Sequence, residues 1–155
     1  MEENRLKLIK QSTLDIPPQQ LWSCLKSTRV FNRVTSPLMT FRSRDGHELP
    51  PEWSEGQAYT LSMRLAGIVP LGPHTITFVR IDDRARQLST DESGLLIKSW
   101  LHTMTIGDLA GGRSVFRDEL KVRNGIWTWP TCAGAYFFFA YRHWKLKRLI
   151  RQDKL

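Results

Sequence analysis

The feature that most constrains this chain is a long stretch of period two that gives way abruptly to period 3.6. Apolar side chains recur at alternate positions through Tyr59, Leu61, Met63 and Leu65, then Ile76 and Phe78. The pattern returns at Trp100, Met104 and Ile106, and again at Phe116, Leu120 and Val122. Such alternation marks strands with one face in the core and the other in water. Asn124-Gly125 interrupts it, and Trp129-Pro130 opens a helical pattern running to about Gln152, with Pro130 near the first helical position. A sheet buried on one face needs a cover, and the last helix is the longest candidate. The expected fold is α+β: a curved antiparallel sheet of about six to seven strands wrapped around a long C-terminal helix.

The remaining segments fit that frame. Leu6 to Ile16 reads as a first strand, and Pro17-Pro18 ends it and presets a helix carrying Leu21, Trp22 and Leu25. Thr28 to Val34 continues that helix or forms a second short one. Met39, Phe41 and Ser43 share a strand face, and a long loop with Pro50-Pro51 and Trp53 follows from Arg44 to Gly56. Its length suggests a lid or binding loop. Ile76 and Phe78 belong to a strand that turns at Asp82-Asp83, and a weaker strand covers Gln87 to Glu92. Lys98 to Ile106 and Ser114 to Val122 are the strongest strands, joined by a hairpin turn over Asp108 to Gly112.

With 155 residues the expectation is one domain spanning 1–155. Hydrophobic residues make up 41 % and charged residues 25 %, which excludes a disordered, collagen-like or disulfide-framework chain. Cys24 and Cys132 share no short spacing with each other or with a histidine, so neither a zinc site nor a redox motif is written, and reduced thiols are expected. No motif implies a cofactor or a metal. The acidic start and the shortness of the apolar run from Ala133 to Tyr141 predict a soluble, cytoplasmic protein.

Polar residues stand on the apolar faces. A five-residue turn over 108–112 folds the hairpin so that facing numbers sum to about 220, placing His102 opposite Asp118 and close enough to share a hydrogen bond. On the last helix Phe138, Phe139, Leu146, Leu149 and Ile150 form an apolar stripe, with Arg142 in its middle and His143 at its edge. An arginine there snorkels out or finds a carboxylate, and Asp118 is the candidate.

The order of elements resembles the helix-grip fold of the START-like, Bet v 1-like superfamily, which includes the SRPBCC, polyketide cyclase and lipid-transport proteins. The resemblance begins at Ile16-Pro17-Pro18-Gln19-Gln20-Leu21-Trp22. It continues through Gly94, Trp100-x-His102, Asp118 and Tyr141-Arg142-His143. The last three are similar to a bacterial branch with a W-x-H strand, an aspartate on the next strand and a Y-R-H on the final helix. A departure is Asn124 to Pro130, where that branch carries a Pro-Leu-Gly segment. The resemblance implies an apolar cavity between sheet and helix, and with it a binding or carrier protein for a small hydrophobic ligand such as a lipid, quinone, polyketide or aromatic metabolite.

Residues on the faces turned to such a cavity are Tyr59, Met63, Phe78, Trp100, Met104 and Phe116, with Leu120, Trp127, Phe138 and Phe139. Trp127, Trp129 and the Trp53 loop are candidate gates; plain core or surface packing explains each of these residues equally well. This cluster has four readings: a buried network of His102, Asp118 and Arg142 pinning helix to sheet, the same groups orienting a ligand's polar end, His102 and Asp118 as the acid/base pair of a cyclase or dehydratase, or His102, His143 and Asp118 as a metal triad. No nucleophile motif supports the enzyme reading.

The net charge is +8. Six Lys or Arg against one Asp fall in the last twenty residues, where Lys145, Lys147, Arg148, Arg151 and Lys154 share the outer helix face with Phe137, Tyr141 and Trp144. That face is a solvated basic surface or a dock for an anionic membrane surface or protein partner. Nucleic acid fits poorly, because no recognition motif is present and bulky apolar residues interrupt the basic ones.

Overall fold

The computed structural model of the protein describes residues 5–155. Its elements are β1 (Leu6–Leu14), α1 (Pro18–Lys26), α2 (Thr28–Thr35), β2 (Met39–Ser43), β3 (Ala58–Leu65), β4 (Val69–Asp82) and β5 (Gln87–Gly94). They continue with β6 (Ser99–Leu109), β7 (Arg113–Arg123), a 3-10 turn (Gly125–Trp127) and α3 (Thr128–Arg151). The strands form one antiparallel sheet in the order β1-β7-β6-β5-β4-β3-β2. From β2 onward each strand pairs with the next in sequence. β1 pairs with β7 instead, so β1 and β2 lie at opposite edges and α1 with α2 carry the chain between them. α3 packs against β1, β7 and α2. This is the expected helix-grip architecture, with two short helices after the first strand. Among the described residues no helix is long and apolar enough to cross a membrane.

Local chemistry explains the breaks. The chain does not run straight from α1 into α2, because Ser27 takes an extended conformation (φ −80°, ψ 125°) and its hydroxyl accepts from the Val30 amide. β4 begins earlier than period two suggests, at Val69, and includes Pro70 and Pro73. Both prolines fit because pairing with β5 starts only at His74, leaving the segment a neighbour on one side.

The β6–β7 hairpin departs from the expected register. The strands extend to Leu109↔Arg113, leaving the three-residue turn Ala110-Gly111-Gly112, in which both glycines have positive φ. The fold axis therefore lies one residue later than a turn over 108–112 would put it. His102 faces Leu120, and Met104 faces Asp118. The slip is an even number of residues, so every side chain keeps its expected face. His102 and Asp118 are diagonal neighbours rather than directly opposed.

The Arg44–Gly56 loop is not a free lid. The Trp53 amide donates to the Lys26 carbonyl, and the Trp53 ring, 5 % exposed, stacks on Phe78 at 4.7 Å between centroids. Tyr59 and Phe31 abut the same indole edge-on. Trp53 is therefore a plug of the core, not a gate.

The buried apolar residues fall into two clusters. The larger contains Leu14, Trp22, Leu61, Phe78, Met104, Phe116 and Leu146; the smaller contains Trp100, Leu120, Val122, Ala135 and Phe139. Along β6, β7 and α3 alike, a polar residue stands between members of one cluster and members of the other: His102, Asp118 and Arg142 respectively.

Candidate functional site

Those three residues belong to a line of polar side chains that crosses the sheet with one member on each of five adjacent strands. In spatial order they are Ser12 on β1, Asp118 on β7, His102 on β6, Glu92 on β5 and His74 on β4. Asp118, fully buried, is the hub. Its Oδ1 accepts from His102 Nε2 at 2.6 Å and from the Arg142 guanidinium, and its Oδ2 accepts from His143 Nε2 at 2.6 Å. His143 Nδ1 is 2.8 Å from the Ser12 hydroxyl. On the other side His102 Nδ1 lies 3.8 Å from Glu92 Oε1, which also accepts from the Thr90 hydroxyl at 2.7 Å. Glu92 Oε2 is 2.8 Å from His74 Nε2.

Aromatic rings clamp the line. His102 stacks on Phe139 at 4.9 Å, His143 stacks on Phe116 at 4.8 Å, and the Arg142 guanidinium lies 5.3 Å and 5.7 Å from those two rings.

Burial would push the Asp118 carboxyl up, but Arg142, His102 and His143 together hold it well below the usual carboxylate range. Burial also opposes ionisation of Glu92, and the nearby His102 ring together with the hydrogen bond to His74 outweighs it, lowering the group from 4.5 to about 2. Burial disfavours the charged form of His102, yet the Asp118 charge and hydrogen bond and the nearby Glu92 carboxylate raise it. An imidazole between two carboxylates is best placed as a cation. Burial wins at His143, whose pKa is lowered despite Asp118. The result is two compensated pairs, Asp118 with Arg142 and Glu92 with His102. Both histidine Nε2 atoms next to Asp118 point at its oxygens, and Arg142 occupies the remaining side. Among the described residues, no group of His, Cys, Asp and Glu is arranged to hold a metal ion.

The concave side of the sheet holds two spaces. An inner void of about 60 Å³ lies toward α1 and α2, lined by Phe78, His102, Met104, Phe116 and Arg142 with Leu88, Val34 and other apolar residues. The second is a cavity of about 730 Å³ between β2–β6 and the N-terminal half of α3. Met63, Trp100, Trp127 and Phe138 line it, with Phe41, Leu71, Gly134, Ala135 and Phe137. Its rim is open: Leu95, Trp127 and Phe137 are 75 %, 64 % and 64 % exposed. Asn124 ties the rim together, its amide donating to the Leu96 carbonyl at 2.7 Å and to Thr131 Oγ1 at 2.9 Å.

The expected site residues thus divide. Phe78, His102, Met104, Phe116 and Arg142 border only the inner void, while Met63, Trp100, Trp127 and Phe138 border the large cavity. Tyr59, Asp118, Leu120 and Phe139 line neither and serve the core or the polar line. Glu92 and His74 went unrecognised from sequence, although Glu92 shares the parity of Leu88 and Thr90 and His74 that of Ile76 and Phe78. Glu92 borders both spaces, and His74 borders the large cavity.

Two aromatics expected on the outer face of α3 are otherwise engaged. The Tyr141 hydroxyl donates to the Ser36 carbonyl at 2.9 Å, and Phe137 faces the cavity rim. Trp144 remains outside beneath the Arg148 guanidinium at 5.4 Å, and Lys147, Arg148 and Arg151 are exposed. This basic end of α3 lies several turns from the cavity rim.

The family described as "Domain of unknown function (DUF8410)" matches residues 12–150. No curated protein matches the chain. Among solved structures, protein MLL2253 from Mesorhizobium loti is 14 % identical with a TM-score of 0.74, covering 97 % of this chain and 100 % of its own. A START superfamily protein from Mycobacterium smegmatis is 13 % identical with a TM-score of 0.67, covering 94 % and 97 %. Ara h 8.0201 is 12 % identical with a TM-score of 0.63, covering 92 % and 99 %. At these identities the likeness is one of fold, and it supports the START-like, Bet v 1-like architecture.

Proposed function

The chain belongs to the DUF8410 family, a domain of unknown function, and from the geometry of its concave face we propose that it binds a small hydrophobic ligand between the sheet and the N-terminal half of α3. The observation that carries this reading is the cavity of about 730 Å³ with an almost wholly apolar wall and an open apolar rim. Its size falls in the usual range for small-molecule sites, and a space of that kind left empty would sacrifice packing contacts. The joint placement of Trp100-x-His102, Asp118 and Arg142-His143 along one polar line supports kinship with the W-x-H…D…Y-R-H branch.

The cyclase or dehydratase alternative has less behind it. His102 and Asp118 are directed at each other, and the space beside His102 is about 60 Å³. That is room for a few waters, at ~10–15 Å³ each, and not for an organic substrate. The buried charges hold helix to sheet, and the apolar cavity beside them receives the ligand.

Gly134 supplies the test. It lines the cavity, and a Cβ built there meets nothing within 4 Å. Gly134→Trp projects an indole into the space at a helical position that gains propensity from losing glycine. Native mass spectrometry of the wild-type protein should show a co-purified hydrophobic mass that Gly134→Trp lacks, with the melting temperature held or raised. Equal ligand occupancy in both proteins would overturn the reading.

A further inference from the structure

The two ends of the sheet carry turns of different kinds. At one end the β4–β5 turn holds Asp82, Asp83, Arg84 and Arg86, and the β6–β7 turn is flanked by Asp108 and Arg113. Those are ordinary solvated turns. At the other end stand the β3–β4 turn, the β5–β6 loop and the chain entering α3, and all three expose apolar side chains. Ile68 is 77 % exposed, Leu95 75 %, Ile126 89 % and Trp129 73 %. Single apolar residues on a surface need no explanation, but three apolar tips side by side do. Leu65, Leu95 and Trp127, one from each tip, line the large cavity, so the tips ring its mouth. We propose that this rim docks on an anionic lipid bilayer and presents the open cavity to the membrane surface.

Charge selects the occupant. The segments that supply the tips, 64–81, 93–107 and 120–152, contain no Asp or Glu. Arg64, Lys98 and Arg123 flank the tips and are exposed. An apolar surface collared by cations alone is complementary to a bilayer, with its anionic headgroups above and hydrocarbon below. Two copies of the rim brought face to face would set cation against cation, which disfavours a second copy as the cover. The exposed indoles of Trp127 and Trp129 suit the headgroup level, where the ring meets an apolar layer and the N–H stays wet.

The β3–β4 tip is built to project. Its pairing runs to Leu65↔Val69, and the Ile68 amide donates to the Leu65 carbonyl at 3.0 Å. The Ala66 amide donates to the Leu38 carbonyl at 2.8 Å, which ties the tip to the chain entering β2. Because β5 joins β4 only from His74 onward, the tip stands clear of that neighbour. Ala66 and Gly67 both take positive φ, 51° and 70°. A two-residue turn of that kind ordinarily opens with Asn, Asp or Gly, and here it opens with alanine. The basic end of α3 at Arg148 and Arg151 lies several turns from the rim and is not part of this surface.

Co-sedimentation of the purified full chain with phosphatidylcholine vesicles, with and without phosphatidylserine, tests the assignment. Wild type should sediment with the mixed vesicles and less with phosphatidylcholine alone. Ile68→Asp and Ile126→Asp, both at exposed positions, should each lower partitioning about tenfold while the melting temperature holds. Lys98→Glu should weaken binding to the mixed vesicles only. Arg148→Gln combined with Arg151→Gln should stay within about threefold of wild type at physiological salt. In wild-type protein brominated lipid should quench tryptophan emission, and Trp127→Phe with Trp129→Phe should remove that quenching where Trp144→Phe does not. Gly134→Trp should sediment like wild type, since it fills the cavity and leaves the tips intact. Its failure to sediment would mean that lipid uptake, not docking, carries the protein down, and would overturn the inference. Undiminished binding of the two aspartate variants, or no binding by wild type, would do the same. So would a dimer in sedimentation equilibrium that Ile126→Asp dissolves, which assigns the rim to a second copy. The docking inference goes beyond the cavity reading, whose own test is the co-purified mass, so either can fail without the other.

Discussion

The two halves of the α3–sheet interface are built from the same two elements and solve the same burial problem in opposite ways. Around Arg142 and His143 the helix meets the sheet through charged groups that are paired, stacked on by Phe116 and Phe139, and closed to all but a 60 Å³ void. One to three turns earlier it presents Thr131, Gly134, Ala135 and Phe138, and the sheet opposite carries Met63, Leu71 and Trp100; there the surfaces stand apart around 730 Å³. Directional, charge-assisted bonds fix the distance between helix and sheet at one end. Small side chains at the other end leave that distance unfilled. The closed half acts as a brace from which the open half is held ajar.

The hardest way to break this comparison is to remove the brace. Arg142→Met leaves the fully buried Asp118 with only imidazole partners, and stripping one member from a buried pair costs about 3–5 kcal/mol. Urea denaturation should show a loss of that size. Asp118→Leu added to Arg142→Met should recover part of it, since apolar groups then replace both charges. In the open half, Phe137→Ser at a 64 % exposed position should change stability by no more than about 0.5 kcal/mol. Similar costs in the two halves would remove the distinction between brace and cavity.

Acid and base probe the brace more gently. Glu92 is lowered from 4.5 to about 2, so its contribution is present above pH 4.5 and is lost as pH falls toward 2. The shift corresponds to roughly 3 kcal/mol. His102 is raised, so its contribution is complete below 6.5 and declines as pH rises through its higher folded value. His143 is lowered and acts oppositely, favouring the folded state above 6.5 and losing that contribution as pH falls below it. Denaturation midpoints measured across pH should therefore decline on the acid side, and Glu92→Gln should flatten the limb between 4.5 and 2. An unchanged acid limb in that variant would mean Glu92 is not part of the brace.

Much of the brace was legible in the sequence. Period two puts His102 and Asp118 on the buried faces of β6 and β7, and the 3.6 period puts Arg142 in the apolar stripe of α3. Their direction survived an error in register because the Ala110-Gly111-Gly112 turn shifted facing pairs by an even step. Glu92 and His74 were not legible for a different reason. β5 alternates Leu88, Thr90 and Glu92, so only one of its three inward residues is apolar, and it reads as a surface strand. A carboxylate belongs on an inward face only once His102 and His74 are known to flank it, and that knowledge needs the sheet order. The cavity itself was suggested only by the resemblance. No periodicity separates a residue that lines an open space, such as Phe138, from one that fills it, such as Phe139.

The smallest expected effect bears on why the open half stays open. Glycine within a helix costs about 0.5–1 kcal/mol relative to alanine, because it gives up more backbone freedom on folding. Gly134 sits inside α3 and carries no positive φ, and an added Cβ would have no atom within 4 Å. Nothing in the backbone or the packing therefore requires glycine there. Gly134→Ala should raise stability by up to about 1 kcal/mol and add one methyl group to a cavity of about 730 Å³, leaving room for a small hydrophobic ligand. Its affinity for the co-purified hydrophobic ligand should match wild type, in contrast to Gly134→Trp. If alanine instead lowers stability, the helix is pressed against something at this turn and the open half is narrower than 730 Å³ implies. If stability rises and affinity falls, the clearance at Gly134 is itself part of what the ligand contacts.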